Sequence, residues 1–104
     1  MNSQEQVSFS RYGKSFQEGL AALILEDRAF CDQVQEVLET EYFELKYLQV
    51  FVDKIFSYKE KYNVHPTSKI LTTILRIELD EETDAVKKQT RDFFARIYNT
   101  EIKD

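Results

Sequence analysis

The stretch 44–62 constrains the fold more than any other part of the sequence. Its large apolar side chains recur every three or four residues, the spacing that places them along one face of an α-helix. They are Leu45, Leu48, Phe51, Val52, Ile55, Phe56 and Tyr62. Polar side chains such as Lys46, Asp53 and Glu60 fall on the opposite face. Because the apolar face is wide, the pattern predicts a long central helix that contacts more than one neighbour.

Four further segments have helical spacing. Residues 15–26, 27–39, 67–78 and 82–99 are each predicted to form one helix. The chain has only 2 Gly and 1 Pro, the residues on which tight turns and breaks depend. The predicted fold class is therefore all-α: a compact orthogonal bundle of about five helices around the central long helix. It spans residues 15–104 and follows a flexible N-terminal tail, residues 1–14.

Three polar positions indicate where helices begin. Ser15 and Glu18 have the separation of a capping box, which predicts that the first helix starts at Ser15. Asp27 is the predicted N-cap of the second helix, and Thr67 or Ser68 of the fourth, because their side chains can accept from free backbone N–H groups.

The charge of the chain disfavours nucleic acid as a direct ligand. The formal net charge is −5 and the sequence pI is near 4.9. Duplex DNA is bound by clustered Lys and Arg side chains, and the densest basic pairs here, Lys59 with Lys61 and Lys87 with Lys88, are flanked by acids. No direct nucleic-acid binding by this domain is expected.

The N-terminus lacks the apolar segment of a signal peptide, and no apolar run approaches the roughly 20 residues that cross a bilayer. The single cysteine, Cys31, cannot form an intramolecular disulfide, and its place on an apolar helical stripe predicts a core thiol. These features predict a cytoplasmic protein without membrane contact.

No catalytic, metal or cofactor site is predicted. The only histidine, His65, precedes Pro66 in a predicted loop and has no second histidine with which to ligate a metal. The acidic run 80–84 lacks the alternating ligands and the glycine of a calcium loop. Glycine-rich phosphate-binding motifs are absent. The chain is therefore not expected to be an enzyme.

Three stretches together carry a more specific pattern. In the first, residues 20–30 (LAALILEDRAF), a Leu-rich helix ends at an Asp that starts the next helix. The second, residues 41–43 (EYF), is an aromatic connector into the long helix, and the third, residues 61–67 (KYNVHPT), leads into another helix. Over residues 15–78 this order resembles the N-terminal domain of DnaB-type replicative DNA helicases, especially the bacteriophage members.

The resemblance implies a non-catalytic collar domain that helps subunits associate into a ring and contacts a primase or a loader. In that family a separate RecA-like motor domain hydrolyses ATP and moves DNA. Compared with that family, this piece is expected to lack both the motor domain and the helical hairpin through which collar domains pair. The expected state of this piece is therefore a monomer or weak dimer, and its expected partners are helicase subunits, primase or loader.

Other functions fit the same sequence. A standalone phage adaptor or regulatory protein that binds a host protein would present a substantial exposed apolar patch. A helix-turn-helix DNA reader would need a basic recognition helix, and the segment 67–78 offers only Lys69 and Arg76.

Partner contacts are predicted for aromatic side chains at the edges of the central helix face, because tyrosine combines contact area with a polar tip. The candidate partner-binding residues are Tyr42, Tyr47 and Tyr58, together with Val50 on the polar side of the central helix. The alternative is that the tyrosines are ordinary residues at the core boundary.

Overall fold

The computed structural model describes the backbone of residues 8–102 and the side chains of residues 8–98. Within that part of the chain there are five α-helices and no strand, so the predicted all-α bundle is confirmed. The helices are α1 (Gly13–Glu26), α2 (Arg28–Val34), α3 (Lys46–Tyr62), α4 (Ser68–Ile77) and α5 (Asp84–Ile102). Short 3-10 helices lie at Ser10–Tyr12 and Thr40–Tyr42.

Helix α3 is the centre of the bundle, as its sequence predicts. It packs against α1, α4 and α5, and four of its apolar side chains are completely buried. These are Leu48, Phe51, Val52 and Ile55. Removing each such side chain from water contributes roughly 1.5–3 kcal/mol. Tyr62 is the exception on the predicted face: it lies at the end of α3, where Asn63 turns the chain with a φ of 61°, and it is exposed.

Side-chain caps fix the starts of three helices. The Asp27 carboxylate accepts from the Phe30 N–H at 3.0 Å, and the Thr67 hydroxyl accepts from the Ile70 N–H at 3.1 Å. Both predicted caps are confirmed. Thr83 caps α5 in the same way through the Val86 N–H, at 3.1 Å.

The predicted capping box at Ser15 is wrong. Helix α1 begins two residues earlier, at Gly13, and continues directly from the preceding 3-10 helix without a side-chain cap. The entry is fixed instead by Phe9, whose N–H donates to the Tyr42 carbonyl at 2.8 Å. Ser15 is therefore an exposed residue inside the helix, and Glu18 is available for other contacts.

The predicted flexible tail, residues 1–14, also differs from the structure. Residues 1–7 lie outside the described residues, whereas residues 10–14 form the 3-10 helix and the first residues of α1, and Phe9 precedes them. Phe9 packs against the core, with its ring centroid 5.2 Å from that of Phe43. That aromatic contact gives this segment a fixed place on the bundle.

Helix α2 is shorter than predicted and ends at Val34 rather than near residue 39. The Val34 carbonyl accepts from the N–H groups of both Val37 and Leu38, which closes a turn at the end of the helix. The chain then runs through the second 3-10 helix so that Phe43 can reach the core, where it is fully buried. The predicted aromatic connector is thus confirmed.

Candidate functional site

Two of the predicted partner-binding residues are buried, and their prediction is wrong. Tyr47 is 7% exposed and Val50 is 5% exposed. Helix α5 packs against α3, and the Tyr47 ring lies edge-on to Phe93 at 6.1 Å. The reason is geometric: a helix with neighbours on three sides has little free surface, so residues beside its apolar face are buried as well.

The other two predicted residues are half-buried. Tyr42 lies against Phe9 with their ring centroids 5.8 Å apart, and Tyr58 lies beside Tyr62 at 4.6 Å. Partner contact by Tyr42 and Tyr58 stays a prediction.

A larger exposed apolar surface lies on α1. Tyr12, Phe16 and Leu23 are 58%, 44% and 40% exposed, and Gly19 lies between the last two. At 3.6 residues per turn Phe16, Gly19 and Leu23 fall within about 60° of one another and extend for about 10 Å along α1. Tyr12 precedes them at the end of the first 3-10 helix. The opposite side of α1 is buried through Gln17, Ala21, Ile24 and Leu25. One side of α1 therefore packs against the rest of the bundle, and the side that carries Phe16 and Leu23 remains largely exposed.

Aromatic contacts extend this surface beyond the helix. The Phe16 ring lies 5.0 Å from Tyr12 and 5.8 Å from Phe9, and Phe9 in turn contacts Tyr42. We call the surface formed by these side chains the aromatic face; its members are Phe9, Tyr12, Phe16, Gly19, Leu23 and Tyr42. A Cβ atom added at Gly19 would meet nothing within 4 Å, so a second helix has room to approach the backbone there.

Gln17 holds the aromatic face in place, although nothing in the sequence pattern predicts a role for this residue. Its side chain is fully buried, and its Oε1 accepts from the N–H groups of Glu44 at 2.9 Å and Leu45 at 3.4 Å. Its Nε2 donates to the Phe9 carbonyl at 3.4 Å. One amide thus satisfies backbone groups just before α3 and ties Phe9 to α1.

Glu18, beside Gln17, joins α1 to two other helices. Its carboxylate accepts from the Tyr47 hydroxyl at 2.5 Å and from both terminal nitrogens of Arg96, at 3.1 and 3.0 Å. The hydrogen bonds from Arg96 and Tyr47 outweigh partial burial and lower the pKa of Glu18. Burial, together with the Glu18 carboxylate, raises the pKa of Tyr47 to about 12. The phenol is therefore a permanent donor at neutral pH, which indicates a structural role.

Two further reactive side chains, Cys31 and Lys59, are buried in the bundle. Cys31 is fully buried, as predicted, and burial raises the pKa of its thiol to about 11. The nearly buried Lys59 ammonium pairs with the Asp32 carboxylate at 2.6 Å. Among the described residues, no group of three or more His, Cys, Asp or Glu side chains is arranged to hold a metal ion.

His65 links the loop before α4 to the end of α1. Its Nε2 lies 2.6 Å from the Leu25 carbonyl oxygen, which can only accept, so Nε2 carries the proton in this contact. The Leu25 carbonyl belongs to the last turn of α1, where backbone acceptors lack partners within the helix. The imidazole thus supports the end of α1.

Comparison of the chain with family models, with curated proteins and with solved structures finds no match. In the described part of the chain, no helix is long and apolar enough to cross a bilayer. The aromatic face groups three of the large exposed apolar side chains of the described surface, Tyr12, Phe16 and Leu23, on one side of the molecule.

Proposed function

We propose that this chain is a non-catalytic protein-interaction domain and that the aromatic face binds its partner. The observation that carries the proposal is the exposure of Tyr12, Phe16 and Leu23 along one side of α1, a helix whose other side is already buried. Large apolar side chains that recur at intervals of four and seven residues fit an amphipathic helix of a partner. Gly19 in the middle of this surface leaves room for the partner backbone.

Aromatic side chains make this surface suited to binding. Phe9 and Phe16 are held by edge-to-face ring contacts, so they lose little side-chain freedom when a partner docks. Each large side chain that becomes fully buried contributes up to roughly 1.5–3 kcal/mol. A few such anchors are enough for specific binding, because a small number of central residues supplies most of the affinity in protein interfaces.

Within this proposal the domain is the collar of a DnaB-type replicative helicase. Support comes from the resemblance of residues 20–30, 41–43 and 61–67 to that family. The proposed partners are then other helicase subunits, a primase or a helicase loader, and the parent protein would carry the ATP-driven motor.

The experiment is calorimetric titration of the chain with the purified primase, loader and motor domain of one phage replication system. We expect saturable binding to at least one of them, and loss of that binding in the Phe16→Ser/Leu23→Ser double variant. Val37→Ser is the matched control, because Val37 is 72% exposed and lies outside the aromatic face. Binding that the double variant retains would contradict a role for this face, and absence of binding to all three proteins would contradict the helicase assignment.

The exposed apolar surface also fits a standalone phage adaptor that binds a host protein. This alternative predicts no affinity for the three replication proteins. It also predicts that one defined host protein is captured by the wild-type chain and by Val37→Ser but not by the double variant.

A further inference from the structure

A second surface, separate from the aromatic face, lies between α4 and α5. It is a cleft of about 350 Å³ lined by Thr72, Leu75, Arg76, Arg91 and Phe94. Leu75 and Phe94 are core residues that form its floor, whereas both arginines are exposed at its sides. We call it the α4–α5 groove. It combines an apolar floor with two cationic walls.

Arg91 is held in a fixed position in this groove. Its Nε donates to the Leu75 carbonyl at 2.8 Å, and its Nη2 donates to the Arg76 carbonyl at 3.1 Å. Both carbonyls belong to the last turn of α4, where they have no partner within the helix. Because a guanidinium has five N–H donors, the two bonds orient Arg91 and leave other donors for an anionic ligand.

The charge of the groove is opposite to that of the whole chain. Its five lining residues include two arginines and no acid, although the net charge of the chain is −5. Lys87 lies one turn before Arg91 on α5 and extends the positive charge. Another cleft, of about 290 Å³, has the opposite character, since its lining includes four acids beside Lys54 and Ile77; the acids are Glu78, Asp80, Glu81 and Glu82. The lining of the α4–α5 groove is therefore positive in a chain whose net charge is negative.

We infer that the α4–α5 groove binds an acidic segment of a partner protein. A large apolar side chain of that segment lies on Leu75 and Phe94, and an adjacent carboxylate pairs with Arg91 and Arg76. The apolar floor and the small extent of the basic surface favour a peptide over nucleic acid, whose binding depends on many phosphate contacts. This inference adds a second contact to the proposed interaction domain and shares no residue with the aromatic face.

The test uses three synthetic nine-residue peptides. The first has a central phenylalanine flanked on both sides by glutamates; the second has lysines in place of the glutamates; the third has serine in place of the phenylalanine. Binding is measured by amide chemical-shift titration of the whole chain up to about 1 mM peptide, which corresponds to a binding free energy near −4.1 kcal/mol. We expect saturable amide shifts at Thr72, Arg76, Arg91 and Phe94 with the first peptide and no saturable shifts with the second or the third.

Two charge reversals complete the test. Arg76→Glu keeps every backbone contact of Arg91, so the fold is retained, and we expect it to weaken binding of the first peptide by about tenfold. Lys46→Glu, an exposed reversal at the start of α3, changes net charge equally and is expected to have little effect. Equal effects of the two reversals, equal binding of the glutamate and lysine peptides, or no saturation with the first peptide would overturn the inference.

The Phe16→Ser/Leu23→Ser variant separates this inference from the proposed function. It should bind the first peptide as the wild-type chain does. Shifts confined to the aromatic face would overturn the role of the groove and leave the proposal for the aromatic face standing.

Discussion

The hydroxyl of Tyr47 on α3 donates a 2.5 Å hydrogen bond to the carboxylate of Glu18 on α1. Arg96 on α5 binds the same carboxylate through two nitrogens. Three helices that are distant in sequence thus meet at one partly buried acid. Bidentate pairing of this kind fixes geometry as well as adding energy. The network holds α1, and with it the aromatic face, in a defined position on the bundle.

Glu18→Gln should change the pH dependence of stability. The pKa of Glu18 is lowered from 4.5 in the folded chain, mainly by the Arg96 hydrogen bond and then by Tyr47. A carboxyl with a lowered folded pKa contributes stability above its unfolded pKa, and this contribution is lost as the pH falls through the folded value. The variant should therefore be less stable than wild type near neutral pH, and the difference should shrink below pH 4.5. Urea midpoints measured from about pH 7 to about pH 3 check this; a difference independent of pH would contradict it.

Gln17→Leu should destabilise the fold although it adds an apolar group to the interior. The substitution removes the acceptor for the Glu44 and Leu45 N–H groups and the donor to Phe9. Leaving such groups without partners costs about 1–3 kcal/mol. Urea unfolding monitored by circular dichroism measures the change, with Gln33→Leu at an exposed position of α2 as the control. Equal stability of the two variants would show that the buried amide is dispensable.

Phe93→Ala should cost about 3–5 kcal/mol, a large part of the 5–15 kcal/mol typical of a domain. Phe93 is fully buried, and its ring lies edge-on to Phe51 at 5.0 Å, so truncation opens a cavity between α3 and α5. Tyr62→Ala, at the exposed end of α3, is the control and should cost less than about 1 kcal/mol. Thermal and urea unfolding compare them, and a similar loss in both variants would argue against the core described here.

Cys31 should be nearly inert to thiol reagents in the native chain. The thiol is completely buried and has its pKa raised to about 11, so thiolate is scarce at neutral pH. Labelling with a disulfide reagent should be slow until denaturant is added. A Val37→Cys variant supplies an exposed thiol as an internal reference and should label one equivalent rapidly. Rapid labelling of the wild-type chain would indicate that the α2 region opens readily.

Apolar spacing was sufficient to predict the architecture but not the surface. The pattern in 44–62 identified α3 and its buried side chains because those positions face one shared core. The same spacing wrongly predicts that Tyr47 and Val50 are exposed to a partner, because both are buried. The spacing describes one helix and does not show how many neighbouring helices surround it. Helix caps at Asp27 and Thr67 were predictable because they depend on local hydrogen bonds.

The aromatic face was only partly visible in the sequence. Tyr12 falls in the predicted tail, residues 1–14, and Phe16 and Leu23 fall in the predicted first helix, residues 15–26. Phe16 and Leu23 are exposed whereas Ala21 and Ile24 are buried, and this difference depends on which side of α1 contacts α3. The spacing of one helix does not determine that side. Gln17 was not predictable, because a glutamine on a helix is usually exposed and its burial depends on the tertiary contact with Glu44.

The central claim is that partner proteins contact the outer side of α1. The most direct measurement is cross-saturation transfer from an unlabelled bound primase, loader or motor domain to the isotope-labelled chain. We expect transfer to the side chains of Tyr12, Phe16 and Leu23 and none to Val37, which is more exposed than any of them. Absence of transfer to all three side chains while the complex is intact would contradict the claim.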